Sequence, residues 1–159
     1  MADANLDRQL LRTRLLGSGL KLDPILPGMD LGRDLALTQG ANGLDFARIE
    51  GIDNLGQDLT IALTTLLASD LFNTDFGFDG LNAIATETDP ILMRERIRVA
   101  VIQVLRKDAR VRQILDVSLS GDRLQPMPPG SRELDVQVEF ETISGDQAVL
   151  GLGKVTSNG

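Results

Sequence analysis

Apolar residues recur at helical spacing in two long segments. The first spans about residues 53–68, where one stripe is formed by Ile52, Leu55, Leu59, Ala62, Leu63 and Leu66. Asn54 and Gln57 have the spacing of a capping box at its start. The second predicted helix is capped by Asp89, has Pro90 in its first turn and runs to about Lys107. Its apolar residues occupy most of its circumference, so we expect it to be largely covered.

The period of the pattern changes to two beyond this helix. Leu115, Val117 and Leu119 alternate with polar residues, and so do Leu134, Val136, Val138 and Phe140. A loop rich in Pro and Gly at 121–132 separates these segments. A turn at 144–146 leads to a last apolar segment at 149–152. We predict a three-stranded antiparallel meander with one polar face. Two main helices followed by this sheet indicate an α+β fold.

The first fifty residues have weaker signals. Helical spacing at 5–16 ends at Gly17-Ser18-Gly19, and the stretch through Pro24, Pro27 and Gly28 predicts an extended linker. Asn42-Gly43 lies between alternating segments, which is typical of a β-hairpin. We therefore divide the chain into an N-terminal arm, residues 1–50, and an α+β domain, residues 51–159.

A loop containing three of the five Phe residues joins the two main helices. Phe72, Phe76 and Phe78 lie there together with Gly77 and Gly80. We expect this loop to insert its rings into the edge of the core.

The composition disfavours catalysis. The chain has no His, Cys, Trp or Tyr, so it lacks the commonest general base, a thiol nucleophile and the usual stacking platforms. The acidic residues of the central loop lack the ligand spacing of a known calcium loop. We predict no catalytic residue, no metal and no cofactor. An enzyme that uses Asp, Glu, Ser, Thr or Lys as its catalytic groups stays an alternative.

The charge of the chain is unevenly distributed. The total of −7 argues against binding to nucleic acid or to anionic membranes. Between Arg94 and Arg112, seven cations oppose two carboxylates, a local sum of +5, so the remainder carries −12. Thirteen of the sixteen basic residues are Arg, which suits forked pairing with carboxylates. We predict a protein–protein contact in this segment. Arg94 and Arg98 lie at the edge of the apolar face of the second helix, so each should pair with a carboxylate.

The N-terminus lacks the apolar stretch of a signal peptide, and no apolar run reaches the length of a membrane span. These features predict a protein that folds in the cytoplasm, without insertion into a membrane.

The order of these features resembles a known family. An amphipathic helix, a Phe76-Gly77 loop, a second helix, the turn Asp108-Ala109-Arg110-Val111 and alternating strands follow one another over roughly residues 52–155. This order is similar to that of the baseplate wedge protein of contractile phage tails, which type VI secretion and extracellular injection systems also contain. The family's signature is Glu-Pro-Arg after the second helix. Here Arg110 matches the Arg, Asp108 stands in place of Glu, and Ala109 replaces Pro.

The resemblance implies a structural subunit without enzymatic activity, present in six copies in a phage tail-like particle. Its partners would be other baseplate wedge proteins, contacted through Arg110 and Asp108 with support from Arg94 and Arg98. The tail sheath protein would add strands to the sheet around Val136 and Val138. We then expect Arg110→Ala to leave the domain folded and to block particle assembly.

Two other functions stay open. The family was once labelled lysozyme-like, and a small carboxylate-based hydrolase would use paired carboxylates such as Glu87 and Glu95. A generic adaptor unrelated to injection machines is the third hypothesis.

Overall fold

A computed structural model describes residues 2–25, 32–80, 82, 86–120 and 131–158. Its long helices are α1 (Ala2–Leu16), α2 (Gly51–Thr64) and α3 (Pro90–Lys107). Its strands are β1 (Ser18–Leu20), β2 (Leu22–Pro24), β3 (Arg33–Leu35), β4 (Leu37–Gly40), β5 (Gly43–Phe46), β6 (Arg48–Glu50), β7 (Val111–Ser120), β8 (Ser131–Thr142) and β9 (Gln147–Asn158). The α+β class is confirmed. The predicted linker is wrong at Pro24, which belongs to β2, and the predicted loop at 121–132 is wrong at its end, where Ser131 and Arg132 already belong to β8. The rest of these two predictions falls on residues 26–31 and 121–130, which lie outside the described residues.

Helix α2 buries Leu55, Leu59 and Leu63 of the predicted stripe, whereas Ile52 and Ala62 are half-buried. Leu66 lies beyond the end of the helix and is exposed, so the prediction is wrong for this residue. The helix also differs from the prediction at both ends. It ends at Thr64 because the next residue is extended and its carbonyl accepts a hydrogen bond from the Phe78 N–H at 2.8 Å. The predicted capping box is wrong. Glu50 is the N-cap residue and makes no side-chain capping bond, whereas Asn54 and Gln57 are buried.

Helix α3 begins as predicted. Asp89 accepts hydrogen bonds from the N–H groups of Ile91 and Leu92, which satisfies donors of the first turn. One face enters the core through residues that include Ile97, Val101 and Leu105. The expectation that the helix is covered around most of its circumference is wrong for the isolated chain, because Ile91 is 64% exposed and Val99 is 51% exposed.

The C-terminal meander is confirmed. Strands β7, β8 and β9 form one antiparallel sheet in that order, so β8 is the central strand. Alternation places Val136, Val138 and Phe140 in the core. Strand β7 begins at Val111, four residues before the apolar alternation, and register shifts interrupt its pairing with β8 near Gln113 and Asp116.

Three short antiparallel ladders meet in the N-terminal part. The predicted hairpin is confirmed as β4 and β5, which pair from Leu37↔Phe46 to Gly40↔Gly43. The other ladders join β1 to β6 and β2 to β3. At their junction, the N–H of Lys21 donates to Ala47, that of Ala47 to Ala36 and that of Ala36 to Lys21, at 2.8–2.9 Å. This ring of three backbone hydrogen bonds connects all three ladders.

Helix α1 ends at Leu16, before Gly17 with its φ of +85°, as the Gly-Ser-Gly segment predicts. Leu16 is fully buried and belongs to the same core cluster as Leu55 and Leu59. Gln57 of α2 accepts a hydrogen bond from the N–H of Leu22 and donates one to the carbonyl of Leu20, both at 2.8 Å. The ladders are therefore attached to α2 by a side chain. The division of the chain at residue 50 stays a prediction.

The Phe-rich loop only partly enters the core. Phe78 is buried, as expected, while Phe76 is half-buried and Phe72 is completely exposed, so the expectation is wrong for Phe72. Gly80 has no room for a side chain, since a Cβ there would lie 1.9 Å from Cζ of Phe78. Within the described residues, no helix has both the length and the apolar character needed to cross a membrane.

Replacing Gln57 with Ala should lower the free energy of unfolding by about 1–3 kcal/mol, because two backbone groups of the β1–β2 segment lose their partner. Gln103→Ala on the exposed side of α3 is the matched control and should change it by less than about 0.5 kcal/mol. Chemical denaturation measures both values. Equal stability of the two variants would contradict the attachment through Gln57.

Candidate partner-binding site

Arg110 forms a fork with the carboxylate two residues before it. Its Nε donates to Oδ1 of Asp108 at 2.9 Å, and its Nη2 donates to Oδ2 at 2.6 Å. The backbone N–H of Arg110 also donates to Oδ1 of Asp108 at 2.9 Å. The carbonyl of Asp108 accepts from the N–H of Val111, which closes the turn at 3.1 Å. Of the two structures that the sequence allows here, a tight turn or a short helix, the chain forms the turn, and a side chain fixes it between α3 and β7.

The remaining nitrogen of the Arg110 guanidinium reaches two other helices. Nη1 donates to Oδ2 of Asp58 in α2 at 2.8 Å and to the carbonyl of Leu16 at the end of α1 at 3.0 Å. Asn54 donates to the same two acceptors. Carbonyls in the last turn of a helix lack intrahelical donors and carry partial negative charge, so a cation there is stabilising. One side chain therefore joins α1, α2 and the turn after α3.

This arrangement shifts the pKa values of the pair in opposite directions. Burial acts to raise the pKa of Asp108. The hydrogen bonds that the side chain and backbone of Arg110 donate, together with the positive charge of Arg110, outweigh this effect, so the pKa of Asp108 is lowered. The pKa of Arg110 is raised, mainly because its side chain is hydrogen-bonded to Asp108, and Asp58 adds to the effect. The pair therefore stays ionised over the neutral range.

A cavity of about 350 Å³ adjoins this turn. It is lined by Asp58, Leu59, Ile61, Ala62, Asp75, Phe76, Gly77, Val104, Lys107, Asp108 and Arg110. The walls are mostly apolar, and the charged residues include both members of the Asp108–Arg110 fork. The turn and a concave surface thus lie side by side.

The two arginines expected to support the contact differ. Arg98 donates to Glu95 at 2.5 Å and to the carbonyl of Val117 in β7 at 3.3 Å, so the expected carboxylate is present. Arg94 has no ion pair within the described residues, and its Nε is buried there without a hydrogen-bond partner. The expectation of a carboxylate is right for Arg98 and is not met for Arg94 in this part of the chain.

Val136 and Val138 lie in the core. Val136 is 3% exposed and Val138 is 0% exposed, on the central strand of the sheet. Their side chains offer no surface to a partner in this conformation. Strand addition to the sheet would use β7 or β9, which pair only with β8 in the described part of the chain.

The carboxylates considered for hydrolysis are each paired with arginine. Glu87 accepts from Arg96 at 3.3 Å, and Glu95 accepts from Arg98. No group of three or more acidic residues in the described ranges is placed to hold a metal ion.

A second ion-pair cluster was not foreseen from the sequence. Arg12 of α1 forms a fork with the buried carboxylate of Asp146 in the β8–β9 turn, with Nε to Oδ2 at 2.8 Å, and Arg8 lies 3.7 Å away. Ser144 donates to the same carboxylate at 2.8 Å. The hydrogen bond from Arg12 is the main reason why the pKa of Asp146 is lowered, against the opposing effect of burial. The sequence indicated the turn but not its partner 134 positions away.

No protein-family model matches this chain, and no curated protein matches it significantly. The resemblance to the baseplate wedge family therefore stays a prediction.

The contacts of Arg110 change the expectation for Arg110→Ala. This variant should lose about 1.5–3 kcal/mol of unfolding free energy, because two carboxylates and the Leu16 carbonyl lose a charged donor. Arg106→Ala, at an exposed position of α3, should stay within about 0.5 kcal/mol of the wild type. Thermal and urea unfolding compare them. A fully stable Arg110→Ala protein would show that these bonds contribute nothing net.

Acid stability should depend on Asp146. A carboxylate whose folded pKa is lowered stabilises the fold above its ordinary pKa of about 3.9 and loses that effect as pH falls towards the lowered value. Asp146→Asn should therefore be less stable at neutral pH and should lose less stability below about pH 4 than the wild type does. Urea unfolding at a series of pH values measures this, with Asp53→Asn as the exposed control. Identical pH slopes for Asp146→Asn and wild type would refute the assignment.

Proposed function

We propose that this chain is a structural subunit of the baseplate of a contractile injection particle, where it links wedge subunits and starts assembly of the sheath. The observation that carries the proposal is the fixed turn Asp108-Ala109-Arg110 between α3 and the three-stranded sheet. This turn stands where the resembled family has its Glu-Pro-Arg signature. The chain has α2, the Phe-Gly loop, α3, the turn and the meander in this order, which is the order on which the resemblance to that family rests.

The turn is suited to a contact between subunits because it is rigid while part of it is exposed. The fork between Asp108 and Arg110 replaces the stiffness that Pro gives the family's motif. Ala109, between the two, is exposed. A preorganised surface binds with a smaller loss of conformational entropy than a mobile one. Arg110 supports this contact by holding the turn against α1 and α2.

The sheet supports the second part of the proposal. Strands β7 and β9 are the edges of the described sheet, and an edge presents unpaired N–H and C=O groups to an incoming strand. Arms of the sheath protein would pair with one of these edges. Val136 and Val138 contribute by packing the central strand on the helices. Six copies would surround the particle axis, with neighbouring wedge proteins at the turn and the sheath protein at the sheet.

Ala109→Trp tests the role of the turn without touching the Arg110 contacts. A large side chain at this exposed position should leave the stability of the isolated protein within about 0.5 kcal/mol. It should reduce assembled particles roughly tenfold or more, since a clash of about 1.4 kcal/mol already weakens one contact tenfold. Electron microscopy of particles made in the native host counts them. Ala41→Trp, at the exposed β4–β5 turn, is the matched control and should assemble normally, because the proposal places no contact at that turn.

Normal particles with Ala109→Trp would contradict the role of the turn. The genes next to this one provide an independent check, because sheath, tube and spike genes should lie beside it. Their absence, together with no particle containing the chain, would refute the proposed function as a whole.

A further inference from the structure

The cavity next to the turn has apolar walls from three parts of the fold. Leu59, Ile61 and Ala62 come from α2, Val104 comes from α3, and Phe76 comes from the loop between them. At about 350 Å³, it lies near the lower end of the range for ligand pockets, which suits one side chain rather than a large cofactor.

The loop wall of this cavity is held in place by contacts with the ends of α2 and α3. Phe78 N–H donates to the carbonyl of Thr65 at 2.8 Å, directly after α2. Gly77 has a φ of +109°, and a Cβ there would lie 2.8 Å from the carbonyl oxygens of Thr65 and Leu66. Lys107 Nζ donates to the carbonyl of Asp75 at 2.6 Å, which ties the loop to the end of α3. The cavity is therefore already formed before any partner binds.

The charged residues of the lining have an excess of negative charge. Three carboxylates, on Asp58, Asp75 and Asp108, face two cations, Lys107 and Arg110. Arg110 is shared by Asp58 and Asp108. Both hydrogen bonds of Asp58 go to Oδ2, so within the described part of the chain its Oδ1 accepts none. The carboxylate of exposed Asp75 likewise has no donor among those residues.

We propose that this cavity receives an aromatic side chain from the partner segment, with a positively charged group directly beside it. The apolar walls bury the ring, and the unoccupied oxygens of Asp58 and Asp75 accept hydrogen bonds from the cation. Interface residues that contribute most to binding are commonly aromatic or Arg side chains in such desolvated pockets. An acidic segment is disfavoured because it would face the excess negative charge. The inference rests on the proposed function, in which the turn contacts another subunit, and it specifies the chemistry of that contact.

Three small molecules of nearly equal shape test the inference on the isolated protein. Benzamidine carries a positive charge, benzamide is neutral and benzoate is negative. We expect benzamidine at millimolar concentration to shift the NMR methyl signals of Ile61, Ala62 and Val104. Benzamide should bind roughly two- to fivefold more weakly, the effect of one exposed ion pair, and benzoate more weakly still.

Two variants connect binding to the cavity. Ala62→Leu fills the space and should abolish the shifts, while Asp75→Asn should reduce the preference for benzamidine over benzamide without altering the fold. Asp53→Asn, an exposed carboxylate of α2 outside the cavity lining, is the matched control and should bind benzamidine like the wild type. Because Ala62 packs partly against the core, unfolding of each variant is measured alongside binding.

The inference would be overturned if benzamidine did not shift these methyl signals. It would also be overturned if benzamide or benzoate bound as tightly as benzamidine. Its failure can be told apart from failure of the proposed function. If Ala109→Trp prevents particle formation but the isolated protein does not bind benzamidine, the cavity inference is refuted and the assembly role of the turn is kept. Benzamidine binding with normal Ala109→Trp particles would keep the cavity as a binding site for an aromatic cation and remove the assembly role of the turn.

Discussion

The guanidinium of Arg110 is the interaction on which the arrangement of the helices depends. It binds Asp108 at the end of α3, Asp58 in α2 and the terminal carbonyl of α1. Taking a cation partly out of water costs free energy, and charge-assisted bonds in a fork geometry offset that cost when every nitrogen has an acceptor. Arg meets this condition because its donors are fixed in one plane, whereas Lys presents a single ammonium.

The inward direction of Arg110 also changes how the turn would act in assembly. A side chain that already holds two carboxylates has little capacity left for a partner. Its contribution is to make the turn rigid and to place it beside a preformed cavity. The partner would then meet Ala109, the apolar walls and the unoccupied carboxylate oxygens. Rigid scaffolding behind a contact surface lowers the entropy lost on binding.

The N-terminal part is attached by polar contacts more than by a core of its own. Gln57 bonds the backbone of the first ladders, and Arg12 binds Asp146 in the β8–β9 turn. Meanwhile Leu44 and Phe46 of the β4–β5 hairpin remain largely exposed, although their alternation is typical of a half-buried strand. Periodicity indicates that one face of a strand is apolar, but it does not say whether this chain itself covers that face.

The sequence by itself determined the elements whose signals are local. The Asp89-Pro90 start of α3, the stop at Gly17, the hairpin at Asn42-Gly43 and the alternating β8 strand depend on neighbouring residues, so each was predicted. The tertiary structure alone decided the distant partners of Arg110, which are 52 and 94 positions away, and the link from Arg12 to Asp146. It also decided that Asn54 and Gln57, predicted to cap α2, are buried and form hydrogen bonds with other parts of the chain. Contacts between distant residues depend on how helices and sheet assemble, and side-chain spacing along the chain carries no record of that assembly.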